Sequence, residues 1–356
     1  MRARVAGQAA YRRAAAIAAA GAVACAAAAV PLVSAAGGQT SAAGGQTSVG
    51  ATAGPARGTV RTDSLHSAAL GVWKRYVVYL PPSYAEPDRR FPVAYYLHGL
   101  YGAETDWTRA GGVAGTLDSL VARGMPELIV VMPDGDDGWY TSWAQPVDEA
   151  ACRARPDDEP AARRCVARAR YDEYVAHDLV RHVDATYRTL PARAHRGIAG
   201  LSMGGYGAVT LALRYPQLFA AAASHSGTLS MLHRPTADSA TPPDRAYAAD
   251  SAELAAIWRG MWPRVVPAFG GDTAAFWARD PGRLLEAARR DRRAALPQLF
   301  LDVGRDDPLA HQTHDFHRTL DRLGVAHAYA VRDGTHDWAY WRRRAGASLW
   351  WLAERL

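Results

Sequence analysis

The sequence predicts an α/β fold with a mostly parallel central sheet, helices on both faces and cap-like insertions. Three observations carry this. From residue 60 onward, short β-branched or apolar runs alternate with segments of helical spacing, the pattern of a sheet covered on both sides. The run Glu127 to Met132 is almost continuously apolar, as a strand buried on both faces must be. Glycine-flanked Ser, Asp and His residues follow several of these runs, at the carboxyl ends where such sheets place their sites.

Taken in order, Trp73 to Leu80 is rich in β-branched and aromatic residues and stops at Pro81-Pro82, so it reads as a strand. Phe91 to Leu97 is a second, ending at His98-Gly99, and Glu127 to Met132 a third, ending at Pro133. Tyr171 to Tyr187 has helical spacing, with Tyr174, Leu179, Val183 and Tyr187 able to share a face. His195 to Leu201 is a strand and Gly204 to Tyr215 a helix. Strands at Phe219 to Ser224, Gln298 to Val303 and Ala326 to Val331 follow, with helices at His311 to Leu323 and Trp338 to Leu356. Residues 145–170 and 228–297 interrupt the alternation and read as insertions of one domain spanning 60–356, acting as caps over the strand ends.

Ahead of that domain, Arg2, Arg4, Arg12 and Arg13 precede an alanine-rich apolar run, and Val33-Ser34-Ala35 closes it. A charged start, an apolar middle and a small-residue site make residues 1–35 a secretory signal peptide. A membrane anchor is disfavoured because alanine is weakly hydrophobic, so no stable membrane span is expected. Ala22-Val23-Ala24-Cys25 faintly resembles a lipobox, which offers lipid anchoring at Cys25 as an alternative. The heptad beginning at Ser34 repeats from Ser41, and such Gly, Ala, Ser and Thr residues bury too little to offset ordering entropy. Residues 36–59 are therefore expected to be a flexible linker.

Four of the six net positive charges lie in the signal segment, leaving +2 beyond it. That excludes a charge-driven nucleic-acid partner. Of the 41 basic residues only Lys74 is lysine, which reads as compositional bias. With Cys25 removed, Cys152 and Cys165 remain, and two cysteines close in an exported chain favour a disulfide.

The chemistry concentrates at Gly200-Leu201-Ser202-Met203-Gly204, between a strand and a helix. The glycines permit the sharp turn that projects a serine oxygen above a sheet. A serine in a glycine-rich helix start is the bland alternative; the flanking strand and helix argue against it. Such a serine needs a base and an orienting acid, in the chain order Ser, Asp/Glu, His. Asp306 and Asp307 follow one later strand and His336 follows the next. His336 is the best general base, and the choice between the aspartates stays open. His311, His314 and His317 lie on a helix, with no residue nearby in sequence to complete a metal site. Met203 N–H, and Leu100 N–H in the loop His98-Gly99-Leu100-Tyr101-Gly102, suit an oxyanion hole. Trp107, Trp139, Tyr140 and Trp338 adjoin the site and are candidate substrate walls, with ordinary packing as the alternative.

Four motifs in order, His98-Gly99-Leu100, Pro133-Asp134-Gly135 with Gly138-Trp139-Tyr140, Gly200 to Ala208, and Gly334-Thr335-His336-Asp337-Trp338, resemble the esterase D family of α/β-hydrolases. The likeness runs from about residue 60 to the C-terminus. It implies an α/β-hydrolase fold, a triad of Ser202, Asp307 and His336 with the acid three residues beyond a loop glycine, and oxyanion donors Leu100 and Met203. The two insertions depart from a compact member of that family.

The expectation is an exported serine carboxylic-ester hydrolase acting through an acyl-enzyme on short-chain or aryl esters, with a small-molecule or glycan-linked substrate and no metal or organic cofactor. One rival is an exported acyltransferase of the mycolyltransferase type, using a sugar hydroxyl as acceptor. Another is a non-catalytic glycan-binding protein on a hydrolase scaffold. Nothing in the sequence fixes the oligomeric state.

Overall fold

A computed structural model describes residues 56–154, 159–291 and 295–356. The expected signal peptide, Cys25 and linker residues 36–55 lie outside the described residues. Among those described, no helix is long and apolar enough to cross a membrane.

Eight strands form one sheet: β1 (Thr59–Ser67), β2 (Val72–Leu80), β3 (Val93–Leu97), β4 (Ile129–Pro133), β5 (Arg196–Leu201), β6 (Ala221–His225), β7 (Gln298–Gly304) and β8 (His327–Arg332). Their order is β1-β2-β4-β3-β5-β6-β7-β8. β1 pairs antiparallel to β2 and β2 antiparallel to β4, while the other five pairings are parallel. β1 takes Thr59 from the end of the expected linker.

Strand alternation divides the core between the two faces. Tyr76, Val78, Val93, Tyr95, Leu97, Ile129 and Val131 point to one side, and Val77, Tyr79, Ala94, Tyr96, Val130 and Met132 to the other. Two helices cover the second face: α1 (Val113–Val121), through Val113, Leu117 and Leu120, and, at the C-terminal end of the described chain, Trp338–Ala353. The first face meets a continuous helical run made of Tyr171–Glu173, a π-helical stretch Tyr174–Leu179 and α2 (Val180–Thr186). It also meets α3 (Met203–Arg214) and α4 (Ala310–Arg322). The C-terminal helix is α5 (Trp338–Ala353).

The second insertion packs Phe269 on Tyr206 of α3 and both Phe269 and Trp258 on Trp139. The first sits elsewhere on the rim. Cys152 and Cys165 are bridged, Ala167 N–H donates to the Leu70 carbonyl at the β1–β2 turn, and the Arg163 carbonyl faces Lys74 Nζ at 3.4 Å. It therefore covers the β1–β2 turn and Lys74, at the antiparallel edge of the sheet.

Candidate active site

The turn after β5 is tight because two glycines let backbones touch. A Cβ on Gly200 would lie 2.3 Å from the Gly204 backbone, and one on Gly204 would lie 2.4 Å from the Leu97 carbonyl oxygen. Those clearances bring the head of α3 against the end of β3. Between them Ser202 adopts φ 51° and ψ −118°, a conformation costly for a residue with a Cβ. Its N–H donates to the His225 carbonyl at 2.9 Å, fixing the turn to β6.

The loops after β7 and β8 bring the other two groups. His336 Nε2 lies 2.9 Å from Ser202 Oγ, and His336 Nδ1 lies 2.9 and 3.1 Å from the Asp307 carboxylate oxygens. An ionised carboxylate only accepts, so Nδ1 carries the proton and Nε2 is left to accept from the serine hydroxyl. Burial pushes the Asp307 carboxyl up, but the hydrogen bond and charge of His336 and the Leu309 amide outweigh it and hold it below its ordinary value. Asp306 is exposed, with its backbone carbonyl taking the Thr335 hydroxyl. The choice left open by sequence physics is thus resolved geometrically: Asp307 is the aspartate beside His336.

Among the described residues, no backbone acceptor takes the N–H of Leu100 or Met203. Gly99 adjoins the serine, a Cβ there falling 3.5 Å from Ser202 Cβ. The loop is braced from beneath by buried polar residues. Gly135 N–H donates to His98 Nε2 at 2.9 Å, so His98 Nδ1–H donates to the Gly99 carbonyl at 2.8 Å. Asp134 approaches His98 at 3.6 Å and Lys74 at 3.3 Å, and Lys74 also pairs with Asp136 at 2.6 Å. Burial works against the charge of fully buried Lys74, yet Asp134 and Asp136 raise its pKa above that of an ordinary lysine. The one lysine of the chain is therefore a structural ion. Above the loop, Tyr101 N–H donates to Asp137 Oδ1 at 2.7 Å and Arg264 pairs with Asp137 Oδ2 at 2.9 Å, tying the second insertion to the same loop.

Three of the four candidate substrate walls are packing residues. Trp107, Trp139 and Tyr140 are each 1% exposed. They donate respectively to the carbonyls of Leu97, Arg264 and His98. Their rings are spent on the core, so they do not present a surface to a ligand. Trp338 is half-buried and packs edge-on against Trp107 and Trp341. His311 is no rival base: burial and neighbouring His233 push it down to about 4.

Comparison with known proteins identifies the family. The Esterase family model matches residues 67–349. The chain is 23% identical over 280 residues to an acetyl esterase of Caldicellulosiruptor saccharolyticus, covering 76% of this chain and 89% of that protein. It is 34% identical over 167 residues to Esterase Rv1288 of Mycobacterium tuberculosis, covering 46% of this chain but only 31% of that relative. The solved structure of a ferulic acid esterase matches with a TM-score of 0.61 at 25% identity, over 84% of this chain and 99% of that one. The chain belongs to the Esterase family, and is a serine esterase of the α/β-hydrolase superfamily with esterase D-like relatives.

Proposed function

We propose that the chain is an exported carboxylic-ester hydrolase that works through an acyl-enzyme on Ser202. The observation that carries the reading is the unbroken line of hydrogen bonds from Ser202 Oγ through both nitrogens of His336 to Asp307. In the first step His336 Nε2 takes the hydroxyl proton as Ser202 Oγ attacks the ester carbonyl, and Asp307 stabilises the imidazolium. The oxyanion is received by the N–H groups of Leu100 and Met203, both without a backbone acceptor and the second at the head of α3. The imidazolium then protonates the departing alcohol, and water activated by the same histidine releases the acid. No step calls for a metal or an organic cofactor.

The substrate is a short-chain acyl or aryl ester, free or glycan-linked. This reading draws on the acetyl esterase and ferulic acid esterase among the relatives, with Trp338 as the remaining aromatic wall. Residues 1–35 act as the export signal and 36–58 as a linker to the enzyme domain. The disulfide between Cys152 and Cys165 fits an oxidising compartment.

The test is Ser202→Ala, assayed on p-nitrophenyl esters of increasing acyl length with methyl ferulate alongside. The expected loss in kcat is on the order of 10^6-fold, with the wild type preferring short or aryl acyl groups. Activity retained in the variant would overturn the mechanism, and a preference for long acyl chains would overturn the substrate class.

A further inference from the structure

The sequence leaves the histidines of α4 without a residue to complete a metal site; the turn after the helix supplies one. α4 ends at Arg322, the chain reverses through Gly324 in the left-handed region, and β8 begins at His327. This returns His327 to His317, with His317 Nδ1 and His327 Nε2 2.8 Å apart. Asp321, one turn beyond His317 on the helix, places Oδ2 3.4 Å from His317 Nε2. His327 Nδ1 lies 2.8 Å from the Val325 carbonyl oxygen.

These groups form a row: Val325 carbonyl, His327, His317, Asp321 carboxylate. It contains three polar contacts, and each needs a hydrogen between its two electron-rich atoms. Two neutral imidazoles supply only two. The carbonyl end fixes His327 with its proton on Nδ1 and its lone pair on Nε2. If His317 places its proton toward Asp321, two lone pairs face each other across 2.8 Å. If it places its proton toward His327, a lone pair faces the carboxylate. The row is complete only when one more cation joins it, either a proton or a metal ion. His317, Asp321 and His327 each bring a ligand atom to within 4.8 Å of the others, close enough for one ion to be that cation.

We propose that this corner between α4 and β8 binds a divalent late-transition-metal ion, such as zinc, between His317 Nδ1 and His327 Nε2. The outer nitrogens already have the partners that metal-bound imidazoles use, a carboxylate for His317 and a backbone carbonyl for His327. Imidazole also suits these ions better than it suits calcium or magnesium. With metal–nitrogen bonds of ~2.05 Å in tetrahedral geometry, the two nitrogens would stand ~3.3 Å apart. The pair must open by only ~0.5 Å from its present spacing. Both rings are half-buried, and His317 stacks on Tyr329 at 3.8 Å, a contact that lets the ring slide in its own plane. Water would fill the remaining positions.

The consequence is for stability. α4 follows Asp307 and β8 leads to His336, so an ion here ties together the two segments that carry those residues while staying out of their chemistry.

The experiment is zinc titration of the untagged, chelator-treated protein by calorimetry and by competition with a chromophoric indicator. One equivalent should bind in the micromolar range and raise Tm. His317→Ala and His327→Ala should each weaken binding by at least ~10-fold, and Asp321→Asn by ~10-fold, with ester hydrolysis unchanged in all three. Copper loaded on the wild type should show coupling to two nitrogens in its electron paramagnetic resonance spectrum, a readout that survives if a variant fails to fold. No binding at millimolar zinc, full binding by the double alanine variant, or a copper spectrum without nitrogen coupling would overturn the proposal.

Discussion

Replacing Asp307 with Asn exchanges one carboxylate oxygen for an NH2 group and should nearly silence the enzyme. The Asp307 side chain is fully buried, and its Oδ1 accepts the Leu309 N–H at 2.8 Å. In an asparagine the carbonyl oxygen must keep that position, because an NH2 group there would face another donor. The NH2 group then occupies the place of Oδ2, 2.9 Å from His336 Nδ1. It donates to Nδ1, which forces the histidine proton onto Nε2, where it opposes the Ser202 hydroxyl instead of accepting from it. A wrong tautomer of this kind costs about 10^4-fold in kcat, or ~5.5 kcal/mol of transition-state stabilisation. The assay is p-nitrophenyl acetate turnover, with circular dichroism to show that the fold is kept. Asp306→Asn, at an exposed loop position, should leave kcat unchanged. A Asp307→Asn variant within tenfold of wild type (about 1.4 kcal/mol), or an inactive Asp306→Asn, would refute the reasoning.

Lys74→Met should destabilise the fold by about 3–5 kcal/mol in urea unfolding, because the carboxylates Asp134 and Asp136 would lose the buried cation they share. Replacing Cys152 and Cys165 with serine reopens a loop of 13 residues and should cost ~3 kcal/mol in the same measurement. Asp280 is buried with one carboxylate oxygen unpartnered, and burial raises it from 3.8 to about 7. The folded state thus holds that proton more tightly than the unfolded state, so stability falls as pH rises from ~4 to ~7. Asp280→Asn keeps the helix cap to Arg283 N–H; its Tm should exceed the wild type's above pH 7 (about the folded pKa), with the gain fading toward pH 4 (~the unfolded value).

Much of the fold was readable because the inner parallel strands β3 to β6 are buried throughout and announce themselves as largely apolar runs. β1 was not. It lies at the sheet edge and pairs only with β2, and of its nine residues just Leu65 and Ser67 are buried, so it shows no apolar period. α1 went unread too, though Val113, Leu117 and Leu120 carry helical spacing and are buried. Ser202 and His336 were legible because each follows a strand within a glycine-bearing turn. The acid was narrowed to two neighbours, since only three-dimensional direction separates a buried Asp307 from an exposed Asp306. The Lys74, Asp134 and His98 brace was out of reach, as its members lie on three elements. In sequence its members stand apart, His98 and Asp134 in two separate motifs and Lys74 as a single lysine among 41 basic residues. The aromatic residues misled for a related reason: a tryptophan near a site in sequence looks the same whether its ring faces the pocket or the core.

The central claim is that Ser202 attacks the ester carbonyl and carries the acyl group. Its most direct test is mass spectrometry of the protein after reaction with a fluorophosphonate, and after rapid quenching during turnover of a p-nitrophenyl ester. The expected result is a single adduct on the peptide containing Ser202, in both experiments, absent from Ser202→Ala and slow to form in Asp307→Asn. An adduct on another residue, or ester turnover by Ser202→Ala with no adduct at all, would contradict it.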